Sequence, residues 1–222
     1  MRVPRRVLLG GAVGVGTGAA LVAYDGLYRT PRRVVVTRHR LEAGRLPRAA
    51  AGDGAGAARG DVRVAQVSDL HLGRGGLGER EAAVIAALES LAPDIVALTG
   101  DSLDHPLGAG PLGEFLAACP AAAARVAILG NWEYKAGMAG EWLRRLHERH
   151  GFDLLVNESR LLALAGRTVR VTGLDDLCHG HPDAGAALER AEPGPPHLVL
   201  AHCPATRDGL CILYTSDAAD DT

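Results

Sequence analysis

The chain has 222 residues, enough for one domain with appendages and ample to bury a core. Apolar residues make up 47% and charged residues 23%, which excludes a disordered or fibrous chain. The net charge of −2 conceals an uneven distribution: ten arginines stand against Asp25 and Glu42 up to Arg48, a balance of +8, and the remainder carries −10.

Val7 to Tyr24 is an uncharged run of 18 residues, at the lower limit for a membrane-spanning helix and weakened by its Gly and Ala content. Arg2, Arg5 and Arg6 precede it as the positive region of an export signal, and Pro4-Arg5-Arg6-Val7-Leu8-Leu9 resembles a twin-arginine signal. No clean A-x-A cleavage site follows, so residues 1–30 are expected to be a signal or uncleaved anchor. Arg29, Arg32, Arg33, Arg38 and Arg40 after the span favour a cytoplasmic C-terminal side, whereas the twin-arginine reading favours export. Export is the expectation here, and the basic head is expected to meet anionic lipid. Residues 31–60 end in Ala/Gly-rich sequence without periodicity and read as a linker, placing the start of the folded body at Asp61.

The body alternates strands and helices. Asp61 to Val67 runs as a strand into Ser68-Asp69-Leu70-His71, and Glu79 to Leu91 follows with helical spacing, placing Ala83, Val84, Ala87, Leu88 and Leu91 on one face. Ile95 to Leu98 is an apolar strand ending at Thr99-Gly100-Asp101. Arg125 to Leu129 runs into Gly130-Asn131-Trp132-Glu133, with Trp142, Leu143 and Leu146 in the next helix. Phe152 to Val156, Arg160 to Leu164 and Thr168 to Thr172 are read as short antiparallel neighbours. Pro182 to Arg190 is read as a helix, and His197 to Ala201 as a buried strand ending at His202. This order predicts an α/β layered domain. Cys119, Cys178, Cys203 and Cys211 lack the close pairing of a zinc or disulfide framework and read as small buried hydrophobes.

Asp69, His71, Asp101, Asn131 and His202 share one property: each follows an apolar strand closely and carries an oxygen or imidazole donor. In open α/β sheets ligands bind beyond the carboxyl ends of the strands, so four strands are expected to converge these donors on one place. Mixed carboxylate, amide and imidazole donors suit Mn, Fe or Zn, and a shared carboxylate can bridge two ions. Alone, each residue reads as a helix cap, a turn or a core histidine; their recurrence at four strand ends is what carries information.

Ser68-Asp69-Leu70-His71, Thr99-Gly100-Asp101-Ser102-Leu103-Asp104 and Leu129-Gly130-Asn131-Trp132-Glu133 resemble the D-x-H, GD-x-x-D and GN-[HW]-E signatures of calcineurin-like metallophosphoesterases, and Leu200-Ala201-His202-Cys203-Pro204 resembles the family's next histidine block. The likeness covers Val62 to about Gly209, and with the apolar head it is most similar to the exported or membrane-associated branch, which includes enzymes acting on nucleotide-linked lipid precursors. The resemblance implies a four-layer α/β/β/α sandwich over 61–209, incomplete at its C-terminus, and two divalent metal ions. By position, Asp69 and His71 are implied to bind the first metal, Asp101 to bridge, and Asn131 and His202 to bind the second. The implied reaction is attack on a phosphoester by a metal-activated hydroxide.

Two departures are visible. Many members have a histidine where Trp132 stands, and that histidine protonates the leaving group; an indole N–H is only a hydrogen-bond donor. The expected substrate is therefore a phosphodiester or pyrophosphate, lipid-linked ones included, whose leaving oxygen needs little protonation, with His105 as a candidate alternative acid. The family's Gly-His-x-His block, expected downstream of His202, is missing, and His179-Gly180-His181 reads instead as a loop with two exposed histidines. Leu210 to Thr222 resembles a translated sequencing adapter, so residues 210–222 are expected to be non-native and the coding sequence truncated there. Without that run the net charge is about +1. The 222-residue chain is accordingly expected to be metal-poor and weakly active, its full-length parent being the enzyme. A different reading is a non-catalytic member that keeps the fold as a binding module. The acidic body argues against nucleic acid as a partner.

Overall fold

The fold is seen in a computed structural model, which describes residues 34–40, 61–73, 75–164, 167–188 and 195–207. The predicted signal segment and the tail from Leu210 lie outside the described residues, as does the linker apart from 34–40. Among the described residues no helix is long and apolar enough to cross a membrane. The chain divides into Met1–Arg38 and His39–Thr222, and everything that follows concerns the second unit.

Four strands form the first sheet: β1 (Val64–Val67), β2 (Ile95–Thr99), β3 (Ala124–Ile128) and β4 (Asp153–Leu154), in that spatial order and parallel throughout. Helices α1 (Glu79–Leu91), α2 (Ala109–Ala118), α3 (Asn131–Lys135) and α4 (Glu141–Arg149) lie in the connections. A parallel strand can be reached only by a crossover, which is why helix-spaced segments alternate with short apolar runs. β2 is covered on both faces, with Ile95 through Leu98 at 0–1% exposure. Burying each of its larger side chains contributes about 1.5–3 kcal/mol. Val96 and Leu98 join Leu88, Leu112, Phe115, Leu116 and Leu143 beneath the helices, whereas Ile95 and Ala97 join a second cluster on the opposite face.

That opposite face meets a second sheet, of β5 (Glu158–Leu164), β6 (Arg167–Gly173) and β7 (His197–Leu200). β5 and β6 are antiparallel, β6 and β7 parallel. Leu164, Val169, Val171 and Leu200 pack against Ile95, Val126 and Ile128. At Gly173 the sheets approach so closely that an added Cβ would stand 2.7 Å from Cγ2 of Ile128. Period-two alternation puts Ser159 on the outer face, where its hydroxyl donates to the carbonyl of Ala187 (2.7 Å) in α5 (Ala184–Leu188). The order is thus helices, sheet, sheet, short helix, the layering that the resemblance implied.

Several expectations change in detail. Residues 152–156 do not pair antiparallel with β5. They add a fourth parallel strand beside β3, with Val126 opposite Asp153 and the N–H of Leu155 donating to the carbonyl of Ala127 (2.8 Å). In α1 the inward face carries Val84, Ile85 and Leu88, with Ala83 exposed. The helix expected over 182–190 is described only as Ala184–Leu188. Of the described cysteines Cys119 is buried, but Cys178 is exposed and Cys203 half-buried, so burial does not explain all three.

Candidate metal centre

The carboxyl ends of β1, β2 and β3 open on the same edge of the first sheet, and the segment just after β7 brings His202 to that edge. The first two loops extend the strand pairing beyond the sheet. The N–H of Asp69 donates to the Gly100 carbonyl (3.1 Å), that of His71 to the Asp101 carbonyl (2.9 Å), and that of Leu72 to the Ser102 carbonyl (3.0 Å). Asp69, His71 and Asp101 adopt left-handed backbone angles, with φ of 58°, 47° and 53°. Such angles cost a non-glycine residue on the order of 1 kcal/mol and persist where surrounding bonds hold them. Gly100, at φ 89°, completes the turn; a Cβ there would lie 2.8 Å from Nδ1 of His202 and 2.7 Å from N of Gly130.

Asp101 sits at the centre, 3% exposed. Its Oδ2 lies 3.7 Å from Nε2 of His71 and 3.4 Å from Nε2 of His202, while Oδ1 accepts the N–H of Trp132 (2.8 Å). His71 Nε2 is also 3.7 Å from Oδ1 of Asp69. One donor atom each from Asp69, Asp101 and His202 fits within 4.8 Å. His202 Nδ1–H donates to the carbonyl of Thr99 (2.9 Å), which fixes the tautomer and leaves Nε2 as a lone pair turned inward. The Asn131 amide lies 3.3 Å from that lone pair; with its NH2 assigned inward it donates there and to Oδ2 of Asp101 (3.2 Å), and its oxygen accepts from Nζ of Lys135 (2.7 Å). Two carboxylates, two imidazoles and an amide thus converge, a donor set chemically suited to Mn, Fe or Zn.

Glu133 holds the arrangement from behind. It is 1% exposed, and its carboxylate accepts the N–H groups of Gly130 (2.9 Å), Asp101 (3.0 Å), Ser102 (2.6 Å) and, at 3.4 Å, Leu103. Burial pushes its carboxyl above the ordinary range, and the backbone N–H groups of Gly130, Ser102, Asp101 and Glu133 itself pull it part of the way back. Trp132 stands over the opening, 37% exposed, edge-on to His71 at 5.8 Å between ring centroids.

A family model for calcineurin-like phosphoesterases matches residues 62–222. The chain belongs to that family. Membership makes its chemistry metal-dependent hydrolysis of a phosphoester. Among relatives of this phosphoesterase, metallophosphoesterase YkuE of Bacillus subtilis is 27% identical over 214 residues, covering 91% of this chain and 70% of YkuE. YkoQ of the same organism is 30% identical over 66% of this chain and 55% of its own length. F40B5.2 of Caenorhabditis elegans, named as a metallophosphoesterase, is 31% identical over 65% of this chain and 32% of its own.

The phosphoesterase fold brings together all five donor residues expected from the sequence. His105 caps the 3-10 turn Pro106–Gly108, its Nδ1 accepting the N–H of Leu107 (3.1 Å). His179 and His181 are exposed on the loop after β6, with Nδ1 of His179 3.8 Å from Asp176. Two neighbours of the centre escaped the sequence reading. Glu133 was legible from its place three residues after Gly130, the position from which an acidic side chain caps a helix start. Lys135 carried no signal beyond being the chain's sole lysine.

Proposed function

We propose that this phosphoesterase hydrolyses a phosphodiester or a pyrophosphate, with two divalent cations held around Asp101. Asp69 and His71 would hold one cation and Asn131 and His202 the other, with Asp101 placed to serve both. The observation that carries this reading is the placement of Asp101 Oδ2 between the two imidazole Nε2 atoms, at 3.7 and 3.4 Å. Asn131 joins by a half-turn of its amide, offering the oxygen instead of the NH2. Cations at such a site supply positive charge to phosphoryl oxygens and make water acidic enough to attack phosphorus.

The protein's own groups do the positioning. Thr99 holds the His202 tautomer, Glu133 holds the backbone of the Asp101 loop, and Trp132 limits access on the side of His71. An indole N–H cannot transfer a proton to an alkoxide, so the scissile bond must be one whose leaving oxygen departs as a weakly basic anion. Diesters with acidic leaving groups and pyrophosphates meet that requirement; alkyl monoesters do not. The apolar, arginine-flanked head supports a lipid-linked substrate at an exported, membrane-associated location.

With Mn²⁺ and the full chain, bis(4-nitrophenyl) phosphate is expected to turn over at least tenfold faster than an alkyl monoester such as glycerol phosphate. Faster hydrolysis of the monoester contradicts the substrate assignment. Trp132 in place of a proton donor also favours a second reading, a non-catalytic metal-binding module. Tight Mn²⁺ binding without hydrolysis of either substrate would decide for it.

A further inference from the structure

Lys135 is the only lysine in the chain, and it lies beside the centre. Its ammonium stands 4.8 Å from the centroid of the Trp132 ring, a cation–π contact. The same Nζ donates to the Asn131 amide oxygen at 2.7 Å, which puts the charge one amide group away from Oδ2 of Asp101. The side chain is exposed, and among the described residues no carboxylate lies within 4.0 Å of it. The acceptor that Lys135 uses is thus the oxygen that Asn131 would turn toward a cation. Once that oxygen turns, the exposed lysine keeps its seat on the indole face.

We infer that Lys135, seated on Trp132, forms a subsite for a second phosphoryl group, so that this centre takes diphosphate esters. The inference rests on the reading proposed above and deepens it. The first phosphoryl group faces the donors around Asp101, and Lys135 lies just outside that ring, where the neighbouring phosphate of a diphosphate reaches. Trp132 stands beside His71 at the opening of the centre, and its ring carries an ammonium there. A leaving phosphate needs no proton and is stabilised by such a fixed charge. In this reaction water oxygen bonds to the attacked phosphorus and the bridging P–O bond breaks. Its electron pair stays on the leaving phosphate, and the protons from water pass to solvent.

A single lysine allows a direct test. The full chain with saturating Mn²⁺ is treated with an amine-acylating reagent, and Lys135 modification is followed by mass spectrometry with the N-terminal amine as internal reference. Methylenediphosphonate, a non-hydrolysable diphosphate, is expected to slow acylation of Lys135 at least fivefold, and inorganic phosphate at the same concentration less than twofold. In Asp101→Asn the protection should disappear, since the first phosphoryl anchor is lost. Lys135→Met is expected to lower kcat/KM for a diphosphate ester at least tenfold, with kcat falling as well as KM rising, and Lys135→Arg to restore most of the loss. Equal protection by phosphate and diphosphonate, or none by either, overturns the subsite. If bis(4-nitrophenyl) phosphate is hydrolysed normally by the wild type in that case, the subsite alone has failed. If that hydrolysis is absent as well, the underlying phosphoesterase reading has failed with it.

Discussion

Glu133 touches none of the five donor side chains, yet two loops depend on it. It takes backbone N–H groups from Gly130, Asp101, Ser102 and Leu103, and so joins the β2 loop to the start of α3. Glu133→Gln replaces one acceptor oxygen by an NH2 facing buried donors, at a cost of about 1–3 kcal/mol per unsatisfied group. The variant is expected to lose about 3 kcal/mol in urea unfolding and to bind Mn²⁺ at least tenfold more weakly than wild type. Glu141→Gln, altering an exposed carboxylate that accepts from Nε of Arg145 (2.8 Å) within α4, is the control and should leave Mn²⁺ affinity within twofold. Equal Mn²⁺ affinity in Glu133→Gln and wild type would remove Glu133 from the support of the centre. All five donors were legible in the sequence because each follows an apolar strand. The backbone angles that aim Asp69, His71 and Asp101 were not, because they arise from hydrogen bonds between loops far apart in the chain.

At the scale of elements, α4 shows how a polar residue enters a core. His147 is 2% exposed, its Nδ1 within 2.9 Å of the Leu143 carbonyl and its ring edge-on to Phe152. Burial lowers its pKa to about 4. The folded protein keeps this imidazole neutral, while the unfolded chain takes a proton near pH 6.5, so below that pH the unfolded state binds more protons. The contribution is full above pH 6.5 and falls away as pH drops toward 4, by about 2 kcal/mol at pH 5. Chemical denaturation at pH 7.5 and pH 5 should show this loss in wild type and a smaller one in His147→Leu. An identical loss in both proteins would show that His147 is not the group responsible. The strands β1, β2, β3 and β7 and helix α1 were readable from apolar runs and spacing. β4 was assigned to the wrong partner, since periodicity reports burial but not which edge a two-residue strand joins. α2 was missed: Gly-Pro-Leu-Gly near its start reads as a turn, although Leu112, Phe115 and Leu116 fill the core.

At the scale of the molecule, two stacked sheets serve one purpose at one edge. The parallel sheet sends Asp69, His71, Asp101 and Asn131 outward from three adjacent strands, and the second sheet contributes His202 through β7. Close approach at Gly100 and Gly173 lets residues from separate layers meet. The near-neutral total charge is the sum of a basic head and an acidic body, and the acidic part includes the carboxylates of this centre. The central claim is that Asp101 organises a divalent-cation site. Calorimetric titration of Mn²⁺ into metal-stripped full chain and into its isosteric variant Asp101→Asn tests it most directly. Saturable binding by the wild type, weakened at least a hundredfold in Asp101→Asn, is the result predicted; equal affinity in the two proteins would contradict it.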